Sequence, residues 1–387
     1  MTHYVKVGDV PKKRHTLHKA GTGAVLTEEL MGEEGFSGAS SLLYHRHSPS
    51  AVTSIEAIDV TRSELAPNLP VRPMHLRTFD LGEGGDLVTG RRVLAATSTV
   101  ALCVVAADVT SELYRDAAGD ELVFVHTGLA TFESVFGRID VVPGDYVVVP
   151  RSTTHRWVVQ AGDAPVRALV LESTGHIGPP ERYMTATGQF REGAPYSERD
   201  IRTPDGPLVV DEEQVPVLIR TRAGWTRHVH QHHPFDAVGW DGCAYPFAFS
   251  IKDFEPIVGR VHQPPPVHQT FAGPGFVVCS FVPRPYDFGP GAVKIPYHHA
   301  NVDSDEVLYY VDGDFMSRRG SGIATGSITL HPAGFVHGPQ PGSLEASIGE
   351  TRTEETAVMV DTFEPLFVSE DGRSIADPVY ERSWVRD

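Results

Sequence analysis

The sequence predicts an all-β protein built around a duplicated β-domain, and three observations predict it. Proline (30 residues) and glycine (37) are abundant and the apolar stretches between them are short, which is the composition of strands joined by many turns. Segments such as "LATFESVFGRIDVVPGDYVVVP" and "GSITLHPAGFVHG" are strand-like runs broken at Gly-Asp, Pro-Gly or Pro-Ala-Gly, and "ATFE" alternates apolar and polar residues as a half-buried strand does. The chain also repeats itself. Glu121 and Gly128 are spaced like Glu306 and Gly313, while Gly144, Pro150 and His155 keep the spacing of Gly326, Pro332 and His337.

Taken in order, residues 1–90 carry "HTLHKAGTGAVLTEELMGEEGFSGASSLLYHRH" and read as an N-terminal extension of hairpins and loops. Residues 91–174 hold the first copy. Residues 175–225 open with a stretch rich in Gly, Pro and charge (175–207) and read as a linker or extended arm. Residues 226–387 hold the second copy, with "DPVYERSW" near the end as a short helix or a tail.

Composition narrows the function. The 33 basic and 50 acidic residues give a formal net charge of −17, the opposite of a nucleic-acid-binding footprint. The polar N-terminus lacks the apolar core of a signal peptide, and no run approaches the ~18–20 apolar residues of a membrane helix. Cys103, Cys243 and Cys279 lie far apart and form no CxxC pair, which disfavours a disulfide framework or zinc ribbon and favours a reducing compartment. These readings predict a cytoplasmic globular protein with no nucleic-acid or membrane partner. "GEGGDL" is glycine-rich but lacks the Lys-Ser/Thr of a phosphate loop.

The chemistry concentrates in the second copy. His299-x-Asn301-x4-Glu306-x6-Gly313, followed by Gly326-x5-Pro332-x-Gly334-x2-His337, resembles the two signature motifs of the cupin superfamily. The resemblance implies a jelly-roll β-barrel, here duplicated, in which histidines and a glutamate of the first motif and a histidine of the second converge on one metal. Positions 299 and 301 share a face if the segment is a strand. Asn301 stands where the superfamily usually has its second histidine, so the remaining set is His299, Glu306 and His337. Two imidazoles and one carboxylate with open positions form the arrangement of non-haem Fe(II) oxygenases. His298 competes with His299, and Asp303 or Asp305 with Glu306. His331 reads equally as a substrate contact or a core histidine. In the first copy Tyr114 and Asp116 replace His299 and Asn301, leaving only Glu121 and His155, so that copy reads as structural. "RHVHQHHPFD", with His228, His230, His232 and His233, and "YHRH", with His45 and His47, are histidine-rich tracts that read as metal sites or as surface loops.

Most of the chain is similar to the homogentisate 1,2-dioxygenase family. "TEELMGEEGFSGASSLLYHRH" resembles the family's N-terminal signature, "HPFDAVGWDGCAYPFAFSIKDFEPI" its segment before the active site, "YHHANVDSDE" its metal motif and "LHPAGFVHGPQ" its second histidine segment. The resemblance implies Fe(II) on His299, Glu306 and His337, with His262 in "VGRVHQPPPVHQTF" as acid/base and His268 as its rival. It implies substrate contacts from His337, His331 and position 315, where Phe315 replaces a tyrosine and Tyr309 or Tyr310 would supply the hydroxyl. One extra residue separates His299 from the glutamate, which keeps Asp305 as an alternative ligand. The implied reaction opens the ring of homogentisate with O2 to give maleylacetoacetate, in tyrosine and phenylalanine catabolism. The alternatives are cleavage of a related hydroquinone acid such as gentisate, a zinc sugar isomerase, and a non-catalytic two-cupin binding protein. The family's trimers and hexamers imply a homo-oligomer.

Overall fold

A computed structural model describes every residue except 1, 2, 161, 163, 386 and 387. Strands dominate it, and the described helices are short turns such as Ser343–Ala346 and Glu370–Ser374. The all-β cupin expectation holds. The chain divides into two compact units. Met1–Thr61, Glu83–Arg91 and Val105–Ser250 form the first; Arg62–Gly82, Arg92–Val104 and Ile251–Asp387 form the second.

These units cut across the segments read from sequence. The expected arm at 175–225 contains the strand Glu213–Thr221, which pairs with Gly224–His232 and, in parallel, with Leu113–Asp116 inside the first unit. Residues 226–250, expected in the second copy, also belong to the first unit. Part of the expected N-terminal extension does the reverse, because the strand Met74–Arg77 pairs with Ser327–His331 in the second unit. Turn residues mark where the chain bends. They do not say which distant strand will accept its backbone hydrogen bonds.

The repeat itself is real in three dimensions. In the first unit the strand Glu121–Thr127 lies between Asp145–Val149 and Val166–Ser173, with Glu121 opposite Val149 and Glu172. In the second unit Asp305–Asp312 lies between Ser327–His331 and Thr356–Thr362, with Glu306 opposite His331 and Asp361. Both central strands are near-continuous apolar runs, ELVFVHT and DEVLYYVD, and are buried along almost their whole length. That is the pattern of a strand covered on both faces rather than one. The alternating strand Ala130–Ser134 instead shows burial at every second residue, as "ATFE" predicts.

The repeated glycines have a common cause. Gly128 and Gly313 both sit at positive φ, +78° and +108°. A Cβ on Gly128 would lie 2.8 Å from the Pro165 carbonyl oxygen, and one on Gly313 2.5 Å from that of Glu354. At each position the neighbouring strand's turn passes against the bare backbone, so only glycine satisfies both the dihedral and the approach.

Candidate metal centre

Glu306 enters from the second residue of its strand, and His299 and His337 arrive on two irregular segments held together by backbone. His299 N–H donates to the His337 carbonyl at 2.8 Å and His337 N–H returns the bond at 2.9 Å. The segment around 299–301 is therefore a single bridge and not the regular strand that the spacing suggested. The three ligand atoms lie within 4.8 Å of one another, the one such grouping among the described residues.

The donor set fits a metal ion. His337 Nδ1 lies 3.0 Å from the Phe335 carbonyl and His299 Nδ1 lies 3.2 Å from that of Tyr297. A carbonyl only accepts, so both Nδ1 atoms carry the proton and, in the neutral rings, both Nε2 atoms keep their lone pairs for the site. His337 Nε2 is buried and lacks a hydrogen-bond partner, although it lies 3.2 Å from Glu306 Oε1. An orphan lone pair beside a buried carboxylate is what a cation would satisfy. Burial alone would raise the Glu306 pKa, but the close approach of His299, His331 and His337 holds it well below the usual carboxylate range. The same glutamate raises the His299 pKa against the effect of burial. A metal would displace the proton concerned.

The surroundings sort the other candidates. His331 belongs to the site: its ring stacks on His337 at 4.0 Å, Nδ1 lies 3.0 Å from Glu306 Oε1, and Nε2 lies 3.0 Å from the Tyr380 hydroxyl. Burial pushes its pKa down to about 3. Asn301 points elsewhere, donating from Nδ2 to Ser304 Oγ (3.2 Å) and Asp361 Oδ1 (3.3 Å). Asp305 is spent on backbone, accepting from the N–H groups of Ala333 and Leu366 at 2.8 Å each. It is not part of the three-ligand grouping. His298 covers Gly338, where a Cβ would meet its Nδ1 at 2.6 Å.

His262 is farther out. Its ring meets Tyr297 edge-on at 5.1 Å, Tyr297 in turn lies 6.1 Å from His299, and its side chain is 53% exposed. The rival His268 packs on Phe281 at 4.6 Å, with burial pushing its pKa down to about 3. Phe315 sits in an apolar cluster with Cys279, Leu308, Tyr310, Ala357 and Met359. The Tyr310 hydroxyl lies 3.3 Å from Thr329 Oγ1 and accepts from Arg318 Nε at 3.1 Å, while Arg318 Nη1 donates to the Gly338 carbonyl at 2.6 Å. Position 315 thus reaches the triad only through Tyr310, Arg318 and the residue after His337.

Sequence reasoning missed Tyr380 and Asp361. Asp361 faces Glu306 across the sheet, and burial, then the Glu306 charge, push its pKa up to about 7. The one signal for it was an acid inside the apolar strand "TAVMVDT". Tyr380 lay in the segment read as a helix or tail; it is the first residue of the 3-10 turn Tyr380–Arg382.

The His-Glu-His cluster on a strand-built chain defines the class: an all-β scaffold with a candidate metal site. Residues 63–251 match the family model "Homogentisate 1,2-dioxygenase N-terminal". The chain is 38% identical, over 99% of its own length and 99% of the other's, to a protein of Saccharolobus solfataricus named as a putative dioxygenase. It is 26% identical to homogentisate 1,2-dioxygenase of Emericella nidulans, over 79% of this chain and 73% of that one. A cupin 2 conserved barrel domain protein from Leptotrichia buccalis aligns with 79% of this chain and 100% of its own at 9% identity, with a TM-score of 0.34. The chain belongs to the homogentisate 1,2-dioxygenase family, and it is an oxidoreductase of the ring-cleaving dioxygenase class.

Proposed function

We propose that this chain uses Fe(II) on His299, Glu306 and His337 to cleave the ring of homogentisate with O2, giving maleylacetoacetate. The observation that carries the reading is the triad: two neutral-imidazole lone pairs and one carboxylate gathered around a buried orphan nitrogen. A ferrous ion bound there would supply open positions on which a phenolate and O2 can meet.

The chain's own residues do the rest. The Nδ1 bonds to Tyr297 and Phe335 lock both imidazoles in the ligating tautomer. His331 holds Glu306 Oε1 and leaves Oε2 on the side of His299. It lies against His337 as the candidate aromatic contact for substrate. His262, solvent-facing and reached through Tyr297, is the candidate acceptor of the phenolic proton, a task suited to an imidazole near neutral pH.

Phe315 favours a second reading at the level of substrate. The family's tyrosine hydroxyl is missing there, a loss of about 1 kcal/mol of hydrogen bonding, and Tyr310 is tied to Arg318 and Thr329. A hydroquinone acid with a different side chain, such as gentisate, would feel that loss differently. The test is oxygen consumption by anaerobically Fe(II)-loaded protein with homogentisate, gentisate and hydroquinone in separate runs, and His337→Ala as control. Uptake with homogentisate alone, together with a ring-opened product, supports the first reading. Uptake with another hydroquinone moves the substrate and keeps the site, and no uptake by iron-loaded protein defeats both.

A further inference from the structure

The first unit carries a second polar cleft that the dioxygenase reading does not use. It is a small cleft, partly open to solvent, and Glu29, His45, Arg115, Thr154, His230 and His233 line it. Both acids facing it are already committed. His45 Nδ1 lies 2.5 Å from Asp236 Oδ1 and Nε2 lies 2.9 Å from Glu29 Oε2. Asp236 Oδ2 further accepts the His47 backbone N–H at 2.8 Å and lies 3.0 Å from its ring Nδ1. Burial lowers the His45 pKa, but the Asp236 and Glu29 bonds outweigh it and carry the pKa to about 9, so the ring is an imidazolium at neutral pH.

The donors are not committed. Arg115 donates from Nε to Thr154 Oγ1 at 2.8 Å, and among the described residues no carboxylate forms an ion pair with it. Burial, only partly offset by Glu29, lowers its pKa. His230 is 6% exposed, and its Nε2 is buried with no hydrogen-bond partner. Burial, and then the Arg115 charge, push its pKa down to about 4, which leaves it neutral. His233 Nδ1 accepts the Phe235 N–H at 2.9 Å, so its proton sits on Nε2.

A half-buried guanidinium with no carboxylate bonded to it, beside a buried orphan imidazole nitrogen, asks for an acceptor that carries negative charge. A cation would compete with the His45 imidazolium for both carboxylates and meet the Arg115 charge. The histidines here also form no three-ligand grouping of the kind the triad makes. We propose that this cleft is a binding site for a small oxyanion, a carboxylate or phosphate group held by the Arg115 fork and capped by His230. The guanidinium fork matches either group with two parallel hydrogen bonds.

The test measures the thermal midpoint of the full chain in sodium acetate, sodium phosphate and sodium chloride at matched ionic strength. Ligand that binds the folded state raises the midpoint with the logarithm of its concentration once that exceeds the dissociation constant. The expected result is a concentration-dependent rise with acetate or phosphate and none with chloride, with the concentration at which the rise sets in shifted about tenfold or more upward in Arg115→Gln and in His230→Gln. A rise with acetate alone assigns a carboxylate ligand, and a rise with phosphate alone assigns a phosphate. Equal response to chloride, or variants that respond like wild type, overturns the proposal. Should Arg115→Gln lose its cooperative transition, line broadening of 13C-acetate and of the 31P signal of phosphate by wild-type protein, relieved in His230→Gln, decides the matter. No broadening of either signal counts against the site.

Discussion

In the first unit Glu121 meets an arginine; in the second the matching Glu306 meets three histidines. The surrounding strands are the same in both, with Tyr114 bridged to His155 as His299 is bridged to His337. Arg91 makes the difference. Its Nη1 contacts Glu121 Oε1 and lies 3.0 Å from Glu172 Oε1, Nη2 lies 3.2 Å from Glu121 Oε2, and the Arg91 and Glu121 side chains are 1% and 0% exposed. Arg220 joins at 2.5 Å from Asp116 and 3.2 Å from Glu172. A glutamate in a dry barrel needs positive charge nearby. The first unit supplies it from its own chain, permanently. The second leaves imidazole lone pairs around the carboxylate, and a metal bound there would supply the positive charge.

The sharpest way to break this comparison is to remove equivalent histidines. His337→Ala should abolish oxygen uptake, a loss beyond the ~100-fold that outer-shell changes cause at metal sites, and should lower bound iron. His155→Ala should leave iron content and turnover near wild type. Iron analysis and oxygen consumption on both variants read this out, and a His155→Ala protein that loses iron would return the first unit to the list of metal sites. Next in size is Arg91→Met. It strands Glu121 in the interior and leaves Glu172 to Arg220 alone, and breaking a buried ion pair from one side costs about 3–5 kcal/mol. Adding Glu121→Gln to that variant should recover part of the loss in denaturant midpoint, since the stranded charge is then gone.

The first unit also has a pH signature. His45 has a folded pKa of about 9 against an ordinary value near 6.5, so it binds its proton more tightly when folded. Its contribution is therefore complete below about pH 6.5 and is lost as pH rises towards 9, on the order of 3 kcal/mol for the buried ring. Thermal midpoints measured from pH 6 to pH 9 should fall through this window. In His45→Gln, which cannot charge, the slope should flatten. An unchanged slope would mean that Glu29 and Asp236 do not hold the imidazolium.

Legibility followed distance along the chain. The Glu306 and His337 spacing was readable because turn residues at fixed distances from them recur in the first copy, Gly313 and Pro332 among them. Arg91 was not readable, because nothing local in "GRRVLAA" says that one guanidinium will cross 30 positions to Glu121 while the next, Arg92, turns to Asp371. His45 and His230 were legible as histidine-rich tracts but not as partners of Glu29, Asp236 and Arg115. Strand period reports which face a residue takes. The neighbour on that face is set by non-local pairing, and the same blindness misplaced the unit boundaries at 62–82 and 226–250.

The smallest effect tests how far the second unit's site extends. Tyr380 lies 49 positions beyond His331, and its hydroxyl is the one partner of His331 Nε2 among the described residues. His331 Nδ1 in turn holds Glu306. If His331 orients the carboxylate, then Tyr380→Phe frees the ring to turn or to exchange tautomer, and the iron site loosens without losing a ligand. Outer-shell changes of this kind weaken metal binding by about 10-fold at the low end, so iron titration against a competing chelator should show that shift while the unfolding midpoint of the metal-free protein moves little. A midpoint drop with unchanged iron affinity would make Tyr380 a packing residue only. The carboxylate would then be held by its strand register alone, as Glu121 would be without Arg91.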